Sequence, residues 1–209
     1  MQGRTGPRIR LETPRRSLLG AYEAALREDW SPNTVRNVAP EQLAAIAADP
    51  DAFLAGLTSR GGRIRIDDGT EVDKIPDRVR WILALDQPGE PFVGAINLRW
   101  LEDGSGRPVV DLPAHVLGHV GYSIRPAFAG QGYATAALAA MLAEARALGL
   151  PHLVITCDAT NLASRRVIEK NGGSLVENFV APLYGAQERL RFAIDLSAQP
   201  APGAAAGQT

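Results

Sequence analysis

The sequence predicts an α/β domain whose central sheet is mixed, mostly antiparallel and flanked by helices. Three observations carry this. Runs rich in Val, Ile, Leu or aromatic residues follow one another at 78–86, 91–101 and 115–124. A glycine loop then leads into a strongly periodic helix at 133–148, followed by a short apolar run at 153–157 and a second helix at 161–171. Two alternating runs, 174–180 and 189–196, close the pattern as a hairpin-like arm.

Taken in order, the first dozen residues mix Gly, Pro and Arg and offer a short first strand at 8–12. Leu18, Leu19, Tyr22, Ala25 and Leu26 fall at helical spacing and predict a helix over 14–29. Two short helices follow at 40–49 and 50–59, each opened by a proline at a tolerated early position. Asp67-Asp68-Gly69 reads as a turn. Gly94, inside the second of the three strands, marks a bulge or a close backbone approach. In the long helix Ala137, Leu138, Met141, Leu142, Ala145 and Leu148 share one face. The run 153–157 is nearly all apolar, as in a strand buried on both sides. Gly172-Gly173 stops the second helix.

At 209 residues the chain is one domain by the usual yardstick of roughly 150 residues per domain. Residues 1–196 carry the pattern. The stretch 197–209, SAQPAPGAAAGQT, has too little apolar surface to offset the entropy of ordering and reads as a flexible tail. Lys plus Arg number 22 against 23 Asp plus Glu, a balance that argues against nucleic acid as a partner. One cysteine, Cys157, allows no internal disulfide. No signal-peptide pattern and no long apolar run is evident, so a cytoplasmic protein without a membrane partner is expected. Three histidines and no Cys/His cluster give no basis for a metal site.

The most informative segment is 119–138, HVGYSIRPAFAGQGYATAAL. A strand ends at Ile124, Arg125-Pro126 forces an extended exit, and Gly130-Gln131-Gly132 opens a helix directly. Such glycines let a ligand approach the backbone, and the helix N-terminus presents unpaired N–H groups with a positive dipole end. Together they suit a phosphate; a glycine turn that merely changes direction is the plainer account. A Walker A loop would need Lys-Ser/Thr after its last glycine, where Tyr133-Ala134 stand. A Rossmann fingerprint would open the first βαβ unit and place Gly or Ala at Thr135, although Asp158 could imitate its ribose-binding acid.

The segment resembles the acyl-CoA signature of the GNAT N-acetyltransferase superfamily, Q/R-x-x-G-x-G/A, laid over residues 129–134. Gly132 and Ala134 match; Ala129 stands where Arg or Gln is preferred. Downstream, Asn161 opens a helix that runs to Lys170-Asn171-Gly172, similar to the family's second signature, and one helix and one strand separate the two. The resemblance spans residues 91–192. It implies a sheet splayed between its fourth and fifth strands, 115–124 and 153–157. Acetyl-CoA would be the donor: its pantetheine on the backbone of Tyr122, Ser123 and Ile124, its pyrophosphate on Ala129, Gly130, Gln131, Gly132, Tyr133, Ala134 and Thr135, and Asn161 facing the arm.

Acyl transfer to an amine also needs a base for the amine's proton and an acid for the leaving thiolate. The resemblance implies a tyrosine as acid seven residues after the asparagine, where this chain has Ile168. Ser164, in the Asn-x-x-Ser arrangement, resembles the serine used in other branches, and a hydroxyl bonded to its own helix is the alternative. Tyr184, between the last two strands, is a second candidate acid. His119, on the strand leading to the loop, is the candidate base, with a core histidine as the alternative. Cys157 reads as a small buried apolar residue, and Asp158 as a cap for the turn into the helix. The acidic stretch 67–73 could attract a cationic substrate or simply face water. The expectation is therefore a metal-free N-acetyltransferase that moves an acetyl group from acetyl-CoA to a primary amine by direct attack in a ternary complex. The acceptor would be a small-molecule amine or a peptide N-terminus, and, since many relatives dimerise, a homodimer is an expected assembly. The alternatives are an acyl-CoA sensor or scaffold without turnover and, third, an NAD enzyme.

Overall fold

A strand whose residues are apolar on both faces must lie between two layers, and 92–98 is such a strand. In the computed structural model, which describes residues 6–65 and 69–197, Phe92, Val93, Ala95, Ile96 and Leu98 are all buried. The chain runs β1 (Ile9–Glu12), α1 (Arg16–Arg27), α2 (Ala39–Ala48), α3 (Pro50–Thr58), β2 (Arg63–Arg65), β3 (Glu71–Asp73), β4 (Asp77–Ala84) and β5 (Phe92–Arg99). It continues β6 (Leu101–Glu102), β7 (Pro108–Val109), β8 (Val120–Ile124), α4 (Tyr133–Ala147), β9 (His152–Asp158), α5 (Leu162–Lys170), β10 (Ser174–Val180) and β11 (Glu188–Asp195). Two sheets form, in the orders β1-β4-β5-β8 and β10-β11-β9, and every ladder in them is antiparallel.

Helix α4 covers one face of the first sheet. Ala137, Leu138, Met141 and Ala145 are fully buried there with Ile82, Ile96 and Leu98. Each such large aliphatic side chain contributes about 1.5–3 kcal/mol on burial. Helices α1 and α2 cover the other face over an aromatic cluster. Tyr22 stacks on Trp81 with centroids 4.6 Å apart, and Trp30 meets Phe92 edge-on at 5.2 Å. From that layer the loop after α1 reaches β8, where the Ser123 hydroxyl donates to the Ser31 carbonyl at 2.7 Å.

Gly94 is the close approach its position predicts: a Cβ there would lie 2.3 Å from the Ser123 carbonyl oxygen, and the β4–β5 register slips at Ile82/Leu83 beside it. The two sheets part between β8 and β9, the splay expected between 115–124 and 153–157. The strand expected from residue 115 starts at Val120. Gly118 and His119 lie instead against β9, and Gly118 is needed there because a Cβ would sit 2.9 Å from the Val154 carbonyl. The small hairpins β2–β3 and β6–β7 were not expected; at two or three residues each they are too short to show alternation. Asp67 and Asp68 of the expected turn, and the expected tail beyond Ser197, lie outside the described residues. No helix among the described residues is long and apolar enough to cross a membrane.

Candidate active site

Where the sheets part, a cleft of about 1000 Å³ opens, bounded by β8, β9, the glycine loop, α5 and the loop after α1. Its donor end begins at the loop. Gly130 and Gly132 have φ of +72° and +93°, a region that L side chains rarely enter. No Cβ contact lies within 4 Å of Gly130, so that side is open, whereas at Gly132 a Cβ would meet Pro7 at 3.2 Å. Gly132 caps α4, and the first backbone bond of the helix is Ala136 N–H to the Gly132 carbonyl at 3.0 Å. The N–H groups of Gly130, Gln131, Gly132, Tyr133, Ala134 and Thr135 therefore have no partner among the described residues. Ala129 is extended and its N–H goes back to Pro126 at 3.1 Å, closing the turn below them. Unpaired N–H groups at a helix N-terminus, beside glycine backbone open to the cleft, are what a pyrophosphate requires. Arg166 and Lys170, exposed on α5, line the same cleft.

β8 is the edge of its sheet, so the free backbone edge of Tyr122, Ser123 and Ile124 is open to a ligand, and all three line the cleft. Asn161 lines it too, with its Oδ1 accepting from Ser164 N–H at 2.9 Å as the cap of α5. Across the gap the Tyr122 and Ser164 hydroxyls are 2.8 Å apart. Ser164 is thus bonded to β8 through its side chain and not merely to its own helix. Burial raises the Tyr122 phenol to about 12 while its bond to Ser164 opposes the shift. Ile168 is fully buried in the core, so a residue at that position does not reach the cleft. Cys157 lines the cleft, with burial foremost raising its thiol above the ordinary value and Asp158 adding to the effect.

His119 is placed differently from the other expected residues. It is fully buried and is not part of the cleft lining. Its N–H donates to the Val154 carbonyl at 2.7 Å, its Nδ1 accepts the Val154 N–H at 2.9 Å, and its carbonyl accepts from Arg99 at 2.8 Å. Burial lowers its pKa to about 4, helped by the positive charge of Arg99. The imidazole joins the two sheets at the closed end of the wedge. Tyr184 reaches the cleft mouth, but its hydroxyl donates to the His115 carbonyl. Of the acidic stretch, Glu71 and Asp73 pair with Arg63, and Glu71 also with Arg65, within the β2–β3 hairpin.

Besides Arg166, three groups at the site were not singled out from the sequence. Asn97 and Arg99 line the cleft from β5; two polar residues at alternate positions of an otherwise apolar strand are the signal that marks them. Arg189, 5 % exposed, pairs with Asp158 at 2.7 Å across the β9–β11 ladder, so Asp158 is an ion-pair partner as well as the residue before the turn.

A splayed α/β sheet with a phosphate cradle beside the gap defines an acyl-CoA-dependent acyltransferase. The family described as Acetyltransferase (GNAT) domain matches residues 8–174, and the chain belongs to it. Its fold is shared with solved structures at low identity. A GNAT-family acetyltransferase from Bacillus anthracis superposes with a TM-score of 0.59 at 16% identity, covering 93% of this chain and 98% of that one. RimL, a ribosomal L7/L12 alpha-N-protein acetyltransferase solved with coenzyme A, gives 0.58 at 14%, with 91% and 96% covered. The microcin C7 self-immunity acetyltransferase MccE, solved with acetyl-CoA and AMP, gives 0.55 at 12%, with 90% and 92% covered. No curated protein matches the sequence.

Proposed function

We propose that this protein transfers the acetyl group of acetyl-CoA to a primary amine by direct attack in a ternary complex. The observation that carries the proposal is the row of N–H groups from Gly130 to Thr135, partnerless among the described residues, beside the open edge of β8. When bound there, acetyl-CoA supplies an activated acyl carbon and a thiolate leaving group. The cradle holds the pyrophosphate, with Arg166 and Lys170 supplying the positive charge that Ala129 does not. The backbone of Tyr122, Ser123 and Ile124 holds the arm, and Asn161 faces it. The acceptor amine loses a proton as the C–N bond forms and the C–S bond breaks, and the thiolate takes a proton. Ser164 is the proton donor in this reading, and the Tyr122 hydroxyl at 2.8 Å relays to it a proton from the cleft water that takes up the amine's proton, so both hydroxyls end the cycle protonated. His119, neutral and walled in, holds the wedge rather than taking the amine's proton; that proton leaves to water in the cleft. Tyr184 shapes the acceptor mouth with its hydroxyl committed to His115.

Both a small amine and a peptide N-terminus fit an open cleft of this size; RimL acts on a protein α-amine, and MccE was solved with acetyl-CoA and AMP. A homodimer belongs to the same proposal, supported by the free edge of β10 with its exposed Leu175, Val176 and Val180. The test is acetyl-CoA-dependent thiol release over an amine panel, together with thermal shifts in CoA and in NAD. Transfer predicts stabilisation by CoA and turnover with an amine. Stabilisation by CoA with no turnover on any amine would mark a sensor, and stabilisation by NAD alone would overturn the reading.

A further inference from the structure

Arg99 makes no direct ion pair among the described residues; Asp77 acts on it only at a distance. Arg99 projects from β5 into the acceptor half of the cleft, half-buried, and its Nη2 donates to Asn97 Oδ1 at 3.2 Å. Its Nε is shielded from solvent and has no partner, and among the described residues no carboxylate lies within ion-pair distance of it. Asp77 faces it across the β4–β5 ladder, but that carboxylate is held by Lys74 at 3.0 Å. The other arginines of this half are engaged: Arg36 by Glu41, Arg65 by Glu71 at 3.6 Å, and Arg189 by Asp158 at 2.7 Å. Asp158 is the one carboxylate among the described residues lining the cleft. A guanidinium drawn partly out of water without a carboxylate in direct contact is unfavourable, and a ligand carboxylate would complete it.

Its position says which part of a ligand it would meet. Asn97 pairs with Gly121 on β8, and a Cβ on Gly121 would lie 2.8 Å from Arg99 Nη2 and 3.0 Å from Asn97 Oδ1. The guanidinium therefore lies across bare backbone, one residue along β8 from Tyr122. At about 3.3 Å per residue, an anion on Arg99 sits within roughly 3–10 Å of the backbone of Tyr122, Ser123 and Ile124. The near end of that range is the carboxylate-to-amine separation of an α-amino acid, and its middle is that of an amino acid with a longer chain between the two groups. One free guanidinium matches one negative charge, and its planar fork matches a carboxylate edge-on.

We propose that the acceptor is a small amine carrying a single carboxylate, and that Arg99 is the specificity-determining residue that binds it. The proposal rests on the acetyl-transfer reading for its amine, but the carboxylate site can be tested without turnover.

The binding test uses a panel of N-acetyl amino acids, their carboxamides, and O-phosphoethanolamine, with melting temperature read in saturating CoA. N-acetyl amino acids raise the melting temperature of the wild type, while the carboxamides do not. Arg99→Gln abolishes that rise and keeps the same CoA affinity by calorimetry. The kinetic arm compares free amino acids with their carboxamides as acceptors. At least a tenfold preference for the free acid in kcat/KM is expected, and it disappears in Arg99→Gln. Arg99→Lys retains part of it. Equal shifts from acids and carboxamides, no shift from either, or a preference for O-phosphoethanolamine would overturn the proposal. Carboxylate-dependent shifts that vanish in Arg99→Gln, without acetylation of any amine, would uphold the site and overturn the transfer reading.

Discussion

His119 satisfies both backbone groups of Val154: its N–H donates to the Val154 carbonyl at 2.7 Å, and its Nδ1 accepts the Val154 N–H at 2.9 Å. A side chain thus supplies the acceptor that a neighbouring strand's carbonyl would otherwise provide. One residue closes the wedge between the sheets, and beyond it they separate.

Replacing His119 tests this joint. His119→Ala leaves the Val154 N–H without its acceptor and opens a cavity, so a loss of about 1–3 kcal/mol or more in unfolding free energy is expected. The folded variant should keep most of its kcat. A selective hundredfold fall in kcat with unchanged stability would instead make His119 the base.

The same residue sets a pH dependence. Its pKa falls from the ordinary 6.5 to about 4 in the fold, because burial disfavours the imidazolium. Between these values the unfolded chain binds more protons, so stability is complete above pH 6.5 and is lost as pH falls toward 4. The total is about 3 kcal/mol. Urea midpoints measured from pH 7.5 to 4.5 should show this slope in the wild type and a flatter one in a folded His119→Gln protein.

The cradle is tested at Gly132. Its φ of +93° and the nearness of Pro7 make Gly132→Val unfavourable in both conformation and space. CoA affinity should fall by tenfold or more in calorimetry. Ala129→Arg should strengthen binding by adding a charge-assisted contact to the phosphates. Unchanged affinity in Gly132→Val would reduce Gly130-Gln131-Gly132 to a turn.

For proton delivery, Ser164→Ala should lower kcat by about a hundredfold at near-constant CoA affinity, the ordinary scale for losing a general acid. Tyr122→Phe should produce a smaller loss, and the double variant should be no worse than Ser164→Ala if the two hydroxyls act as one relay. Additive losses would separate them.

Asp158→Asn addresses the ion pair with Arg189. Arg189 is 5 % exposed but the Asp158 carboxylate is 42 % exposed, so solvent screens part of the loss and a cost of about 1–3 kcal/mol is expected from thermal or chemical melts. Asp158→Asn with Arg189→Met should recover part of it.

The long elements were legible because their patterns are long: α4 shows its buried face over four turns, and β4, β5, β9, β10 and β11 read as apolar or alternating runs. The glycine loop was legible because Gly130 and Gly132 must adopt positive φ. What could not be read is what depends on distant partners. Val120 begins β8 because His119 bonds to Val154 of β9 instead, and no local signal reports that. The Tyr122–Ser164 bond joins residues 42 positions apart. Arg99 looks like any strand-end arginine until the carboxylate opposite it, Asp77, is seen to belong to Lys74.

The aromatic layer under the acceptor face gives the protein an optical reporter. Trp30 is packed edge-on to Tyr22 and Phe92 at 2 % exposure, and its indole N–H has no partner. The next residue, Ser31, receives the Ser123 hydroxyl from the strand that borders the cleft. A displacement of that strand or of the loop changes the polarity around Trp30. Emission from this indole, separated from that of the other two tryptophans by single Trp→Phe replacements, would follow ligand entry in real time without an added dye.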